Sequence, residues 1–183
     1  PSAMFGGTDG ATIRNLNMTN VDIANWYPTD NIAAALIALA SPSTVLTNIH
    51  ASGTIKSQDY AAGLVGGVNN YNNETYTEPV TWSDLDFTGT VTTPGFAGGV
   101  AGIVYAKTAR FALEDVHTDG TLVGGRGAGG IIAASGATTG PGLHITDAHS
   151  TMDIESRCRD GSGGLIGAAS GAVGAVMTVA NSS

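Results

Sequence analysis

The chain has 183 residues, of which 12% are charged and 42% hydrophobic, with 27 glycines, one cysteine and a formal net charge of −8. That balance excludes a polyanion ligand, which needs clustered Lys and Arg. It also excludes a disordered chain, an internal disulfide framework and a cysteine-built zinc site. No Gly-X-Y period is present, so collagen is out, and the longest apolar run, Ile32–Ala40, is too short to span a bilayer.

In chain order, the opening Pro1-Ser2-Ala3-Met4-Phe5 carries no charged, apolar signal segment. The expectation is a piece whose leader has been removed, or one excised from something longer. A repeat then begins. The pattern apolar-x-(Asn/Asp)-apolar runs through Ile13-Arg14-Asn15-Leu16, Leu46-Thr47-Asn48-Ile49, Trp82-Ser83-Asp84-Leu85, Leu113-Glu114-Asp115-Val116 and Ile145-Thr146-Asp147-Ala148, with an imperfect sixth copy at Val176-Met177-Thr178-Val179. Counted from the fourth position, the copies are 33, 36, 31, 32 and 31 residues apart.

A second block keeps phase with the first. It reads Ala33-Ala34-Ala35-Leu36-Ile37, Ala61-Ala62-Gly63-Leu64-Val65, Ala97-Gly98-Gly99-Val100-Ala101, Ala128-Gly129-Gly130-Ile131-Ile132 and Ser162-Gly163-Gly164-Leu165-Ile166.

Two apolar residues three apart, as at positions 13 and 16, break the period-two alternation of a strand. The chain must therefore turn a corner between them. Asn or Asp stands there, and both tolerate the left-handed backbone conformation. After the corner, Leu16, Ile49, Leu85, Val116 and Ala148 point inward. Asn17, His50, Asp86, His117 and His149 then point outward, and Met18, Ala51, Phe87, Thr118 and Ser150 point inward again. Gly53, Gly89 and Gly120 bend the chain into a second strand at Thr54, Thr90 and Thr121, and the Gly-rich block supplies a third.

Three short strands per coil predict an all-β fold: a parallel β-solenoid of about five coils of 31–36 residues, with open ends. The right hand is expected from the handedness of parallel crossovers. A helical reading fails on the paired glycines, at about 1 kcal/mol each relative to Ala. Only Ala33–Ala40 admits a local helix. The whole of 1–183 reads as one solenoid segment, part of a longer protein or assembly, because no capping element appears at either end.

The quartets Gly63-Leu64-Val65-Gly66 and Gly164-Leu165-Ile166-Gly167, each preceded by an Asn/Asp-apolar segment and a Gly-Thr-Ile type strand, resemble the GLUG-type repeats of bacterial surface proteins. The likeness extends from Ile13 to Val179. It departs at Gly99-Val100-Ala101-Gly102, and at Gly130-Ile131-Ile132-Ala133, which lacks the final glycine. Such repeats occur in cell-wall adhesins and beside secreted IgA-cleaving metallopeptidases. The resemblance implies a non-catalytic extracellular or cell-surface domain, a rigid scaffold with loop-mediated binding. The peptidase chemistry would need a His-Glu-x-x-His helix, which this sequence does not contain. The alternatives are a self-assembling filament or surface-layer subunit, and a carbohydrate-active β-helix enzyme.

His50, Asp86, His117 and His149 share one repeat position and form an expected outward ladder. That ladder is either a metal- or pH-sensitive face or a solvated polar row, and the latter is the sequence reading. No catalytic residue, metal ligand or cofactor is assigned. Asp84, Asp115 and Asp147 stack where Asn15 and Asn48 also serve, which makes their role conformational rather than acid–base. The loops that depart most from the repeat hold Trp26, Tyr27, Tyr71 and Tyr76. These aromatics suit contact with a glycan or a protein, on a host or cell surface. Neighbouring copies stacked end to end are the other expected partner; nucleic acid and membrane insertion are not expected. Cys158 lies between Arg157 and Arg159, and a thiol there has no evident role. The Asn-x-Ser/Thr sequons at Asn17, Asn73 and Asn181 are no more than chance supplies.

Overall fold

The computed structural model describes residues 1–26, 31–69, 78–105, 110–137, 142–157, 160–171 and 176–183. The described chain is all β, wound as a parallel solenoid of about five coils around three sheets. The long sheet stacks Thr12–Asn25, Val45–Ser57, Val80–Thr93, Phe111–Gly124, Leu143–Ser156 and Met177–Ala180 in that order. A first short sheet stacks Ile32–Ala34, Tyr60–Ala62, Phe96–Gly98, Gly127–Gly129 and Gly161–Gly163. A second takes Phe5–Thr8, Ile37–Ala40, Val65–Val68, Ala101–Val104, Ile132–Ala137 and Ile166–Gly171. All strand pairs are parallel.

Each coil thus has three sides, though divided differently from the sequence reading. The Asn/Asp corner and the Gly bend both fall inside one long strand, because the ladder of hydrogen bonds to the next coil carries on through them. The Gly-rich block is not one strand but two, with Gly63-Leu64 and its counterparts at the turn between the short sheets. Ala33–Ala40, the one stretch where a local helix was admissible, also forms two strands. Neighbouring coils pair with both, and an isolated helical turn has no comparable partner.

The corner residues behave as their chemistry requires. Asn15, Asn48, Asp84, Asp115 and Asp147 all adopt φ between 53° and 56°. Asn181 does too, at 51°, and this places the sixth copy. Leu143 pairs with Met177 and Ile145 with Val179, so the copy is Val179-Ala180-Asn181-Ser182, three residues later than the apolar pattern suggested. In the first coil no glycine faces Gly53. An extra residue lies between Met18 and Val21 as a bulge, and Asn20 takes the positive φ of 56°.

Because a left-handed backbone costs an ordinary L-residue about 1–2 kcal/mol, Asp147→Ala should lower the melting temperature by roughly 2–8 °C for a chain of this size. Asp147→Asn should melt within about 2 °C of the parent, by circular dichroism. Equal losses from both variants would show that the carboxylate, not the backbone, is what the corner needs.

Aligned side chains fill the interior. Leu46, Trp82, Leu113 and Ile145 form one buried row, and Ile49, Leu85, Val116 and Ala148 another. Trp82 meets Phe111 edge to face at 4.8 Å, and its indole N–H donates to the Thr44 carbonyl at 2.7 Å. At the turn between the short sheets, backbone bonds link Leu36, Leu64, Val100, Ile131 and Leu165 in succession. The core is closed along the stack and open at its ends. There Met4 and Phe5 on one side, and Val176, Met177 and Val179 on the other, are exposed.

Candidate functional site

Two outward rows run side by side along the long sheet. The first is the corner row of Asn15, Asn48, Asp84, Asp115, Asp147 and Asn181. The second lies two residues further on: Asn17 pairs with His50, His50 with Asp86, Asp86 with His117, and His117 with His149. Residues two apart on a strand share a face, and adjacent coils lie about 4.8 Å apart, so the rows interlock.

His50 Nδ1–H donates to Asp86 Oδ2 at 2.5 Å, while Nε2 faces Asn48 Oδ1 at 2.7 Å and Asp84 Oδ1 at 3.9 Å. Asn48 is itself oriented, its Nδ2 donating to Asn15 Oδ1 at 2.8 Å. His117 Nδ1 lies 3.6 Å from Asp86 Oδ1 and 3.7 Å from Asp115 Oδ1. Its ring stacks on His149 with centroids 5.6 Å apart. His149 Nδ1 meets Ser183 Oγ at 2.8 Å, which extends the row one coil further. All of these groups are half-exposed, so water and ions reach them.

The structure therefore brings His50, Asp86, His117 and His149 together as one ladder. It adds Asn48, Asp84 and Asp115, whose side chains serve the ladder while their backbones serve the corner. Trp26 is exposed at the end of the first long strand, 55% accessible. Tyr27, Tyr71, Tyr76 and Cys158 lie outside the described residues.

A second feature escaped the sequence reading. The two short sheets fold toward each other on their outer side and leave a crease of about 410 Å³ lined by Tyr60, Phe96, Ile103, Tyr105, Arg126 and Asp160, among others. Small residues make this fold possible: a Cβ on Gly66 would lie 2.1 Å from Ile32 Cγ2, and one on Gly102 would lie 2.5 Å from the Gly66 carbonyl oxygen. Tyr60 and Phe96 occupy one register position and stack at 5.7 Å, 9° from parallel. The Arg126 guanidinium lies 4.7 Å from the centre of the Phe96 ring and pairs with Asp160 at 2.9 Å. Burial pushes the Asp59 carboxyl up from its usual range, with Arg126 drawing it back. Burial also raises Tyr60, helped by Asp59 and Tyr105 and opposed by Arg126. The signal was present in sequence: Tyr60-Ala61-Ala62 and Phe96-Ala97-Gly98 put large aromatics at one repeat position. Nothing local, however, says that the two short sheets close on each other.

Comparison with family models, with curated proteins and with solved structures finds no match for this chain.

Proposed function

We propose that the chain is a non-catalytic scaffold segment of an extracellular surface protein, whose stacked coils hold a binding crease in fixed geometry. The observation that carries this reading is the unbroken parallel ladder, in which the described strands of each coil are hydrogen-bonded to those of the next. Such a stack is stiff, but it adds only about 4.8 Å per coil. At 31–36 residues per coil that is roughly 0.15 Å per residue, against about 1.5 Å for a helix. Length is therefore a poor use of this sequence, and surface is a good one. The crease falls within the usual size of a small-ligand site. Its mix of aromatic edges, tyrosine hydroxyls and an Arg–Asp pair suits a ligand with both C–H faces and hydroxyls, such as a glycan. The likeness to GLUG-type repeats and the Lys-poor, Gly- and Thr-rich composition support the same reading.

Binding of the intact chain to an array of glycans and immobilised cell-surface proteins tests it. Arg126→Ala, which removes both the ring contact and the ion pair, should weaken the strongest binder at least tenfold while leaving the melt within a few degrees. Binding that survives both Arg126→Ala and Tyr105→Ala would move the ligand off the crease. Absence of any binder on the array would remove the adhesive part of the proposal.

The exposed apolar ends favour a second reading, end-to-end stacking of copies. Leu16, Met18, Val21 and Ile23 line an open apolar recess of about 510 Å³ at one end, opposite the exposed Val176, Met177 and Val179. Sedimentation across a concentration series separates the two: growing species would support stacking, and a constant monomer would reject it.

A further inference from the structure

We infer that His50 Nε2, Asp84 Oδ1 and Asn48 Oδ1 form a site for one divalent transition-metal ion of the zinc class, with Asp86 fixing the imidazole from its other side. The inference is independent of the proposed scaffold role. It starts from a conflict in the ladder. Both ring nitrogens of His50 face oxygens: Nδ1 the Asp86 carboxylate at 2.5 Å, Nε2 the Asn48 carbonyl at 2.7 Å and the Asp84 carboxylate at 3.9 Å. A neutral imidazole has a single N–H to give. Given to Asp86, it leaves the Nε2 lone pair against oxygen lone pairs. In the orientation the structure shows, Asn48 Nδ2 donates to Asn15 Oδ1 and its Oδ1 faces Nε2. A cation at Nε2 makes these contacts favourable: a proton, which gives each ring nitrogen an N–H to donate, or a metal ion, which Asp84 Oδ1 is also placed to ligate.

The resulting arrangement has the parts of a metal site. Nitrogen and oxygen donors to zinc sit about 2.0–2.2 Å from the ion, so two of them reach across about 4 Å. The 3.9 Å gap between Nε2 and Asp84 Oδ1 can be spanned without moving either backbone. The three ionisable side chains His50, Asp84 and Asp86 lie together, with one donor atom of each within 4.8 Å of the others. A metal-binding histidine ordinarily donates its second N–H to a carboxylate, which sets the tautomer and the ring plane, and Asp86 accepts that bond here. The imidazole favours zinc-like ions over the oxygen-seeking Mg²⁺ and Ca²⁺, and one carboxylate with a neighbouring second one balances much of the charge. The corner geometry preorganises two donors, since Asn48 and Asp84 hold φ of 54° and 56° in adjacent coils. His117, one coil further, is less complete: its Nδ1 meets Asp86 and Asp115 only at 3.6 and 3.7 Å.

The test is calorimetric titration of the purified chain with Zn²⁺, repeated with Co²⁺ to read the ligand field by absorption. The expected result is one tight site per chain. His50→Gln and Asp84→Asn should each weaken it at least tenfold. Asp86→Asn should weaken it 10- to 100-fold, as loss of an orienting partner does, without abolishing the stoichiometry. His149→Gln, on the same row but three coils from His50, should leave the tight site unchanged. Asn48→Asp keeps a residue that tolerates the corner and adds a charged donor, so it should tighten binding. Melting curves without metal should be similar for all five variants. Three outcomes overturn the inference: no tight Zn²⁺ site; Mg²⁺ or Ca²⁺ binding as tightly as Zn²⁺; or His149→Gln costing as much as His50→Gln, which would mean binding by scattered surface histidines. Weaker binding by Asn48→Asp would also count against it.

Discussion

Leu64→Asp is expected to abolish the cooperative thermal melt and most of the far-ultraviolet β signal at 25 °C. Leu64 is fully buried at the turn between the two short sheets. Its carbonyl accepts from Leu36 N–H in one neighbouring coil, and its N–H donates to the Val100 carbonyl in the other. Removing the isobutyl group alone costs about 2–5 kcal/mol through lost transfer energy and the cavity left behind. Leaving an unpaired carboxyl in that place adds several kcal/mol more. Together these approach the whole stability of an ordinary domain, about 5–15 kcal/mol. Leu64→Met keeps the volume and should cost less than about 1.5 kcal/mol. Ile131→Asp, on the same internal row, should match Leu64→Asp. Leu165→Asp should be milder, because Leu165 is only partly buried in the last turn of the row. A Leu64→Asp chain that melts like the parent would mean that this residue does not face the core.

The second large effect separates stacking from local backbone preference. Gly130 and Gly164 hold the same position in consecutive repeats. A Cβ at Gly130 would lie 1.9 Å from the Gly164 carbonyl oxygen and 2.2 Å from Ser150 Oγ, whereas one at Gly164 meets nothing within 4 Å. Neither glycine has a positive φ, so the difference is purely one of room. Gly130→Ala should therefore force two coils apart and lower the melting temperature by 10 °C or more, in keeping with a loss of several kcal/mol. Gly164→Ala should be neutral or slightly stabilising, since alanine reduces the freedom of the unfolded chain. Equal effects at the two positions, read in the same melting experiment, would count against direct backbone contact between coils.

The His50–Asp86–His117–His149 ladder was legible in the sequence, because a repeat fixes register. Once the copies are aligned, residues at one position must stack about 4.8 Å apart. The corner was legible for a different reason: positive φ is a local demand, and Asn and Asp are among the few side chains that meet it without glycine. That residue proves a better marker of phase than the apolar pair. Val176 and Val179 satisfied the apolar spacing but misplaced the sixth copy. Asn181, with its φ of 51°, marks the true one, where the fourth position is the polar Ser182.

By itself, then, the sequence determined the repeat length, the parallel solenoid, the inward rows and the residues at the corners. All of these follow from short-range rules of alternation, backbone preference and repetition. Only the tertiary structure decided that Asn48 and Asp84 turn their side chains on His50, that the Gly-rich block splits into two strands, and that those strands fold together into the Tyr60–Phe96 crease. Each of these depends on distances between coils and between sheets. Residues 36 apart, such as His50 and Asp86, or 31 apart, such as Phe96 and Gly127, acquire their partners only when packing closes the gap. A one-dimensional pattern gives their alignment, but not the angle at which two faces meet.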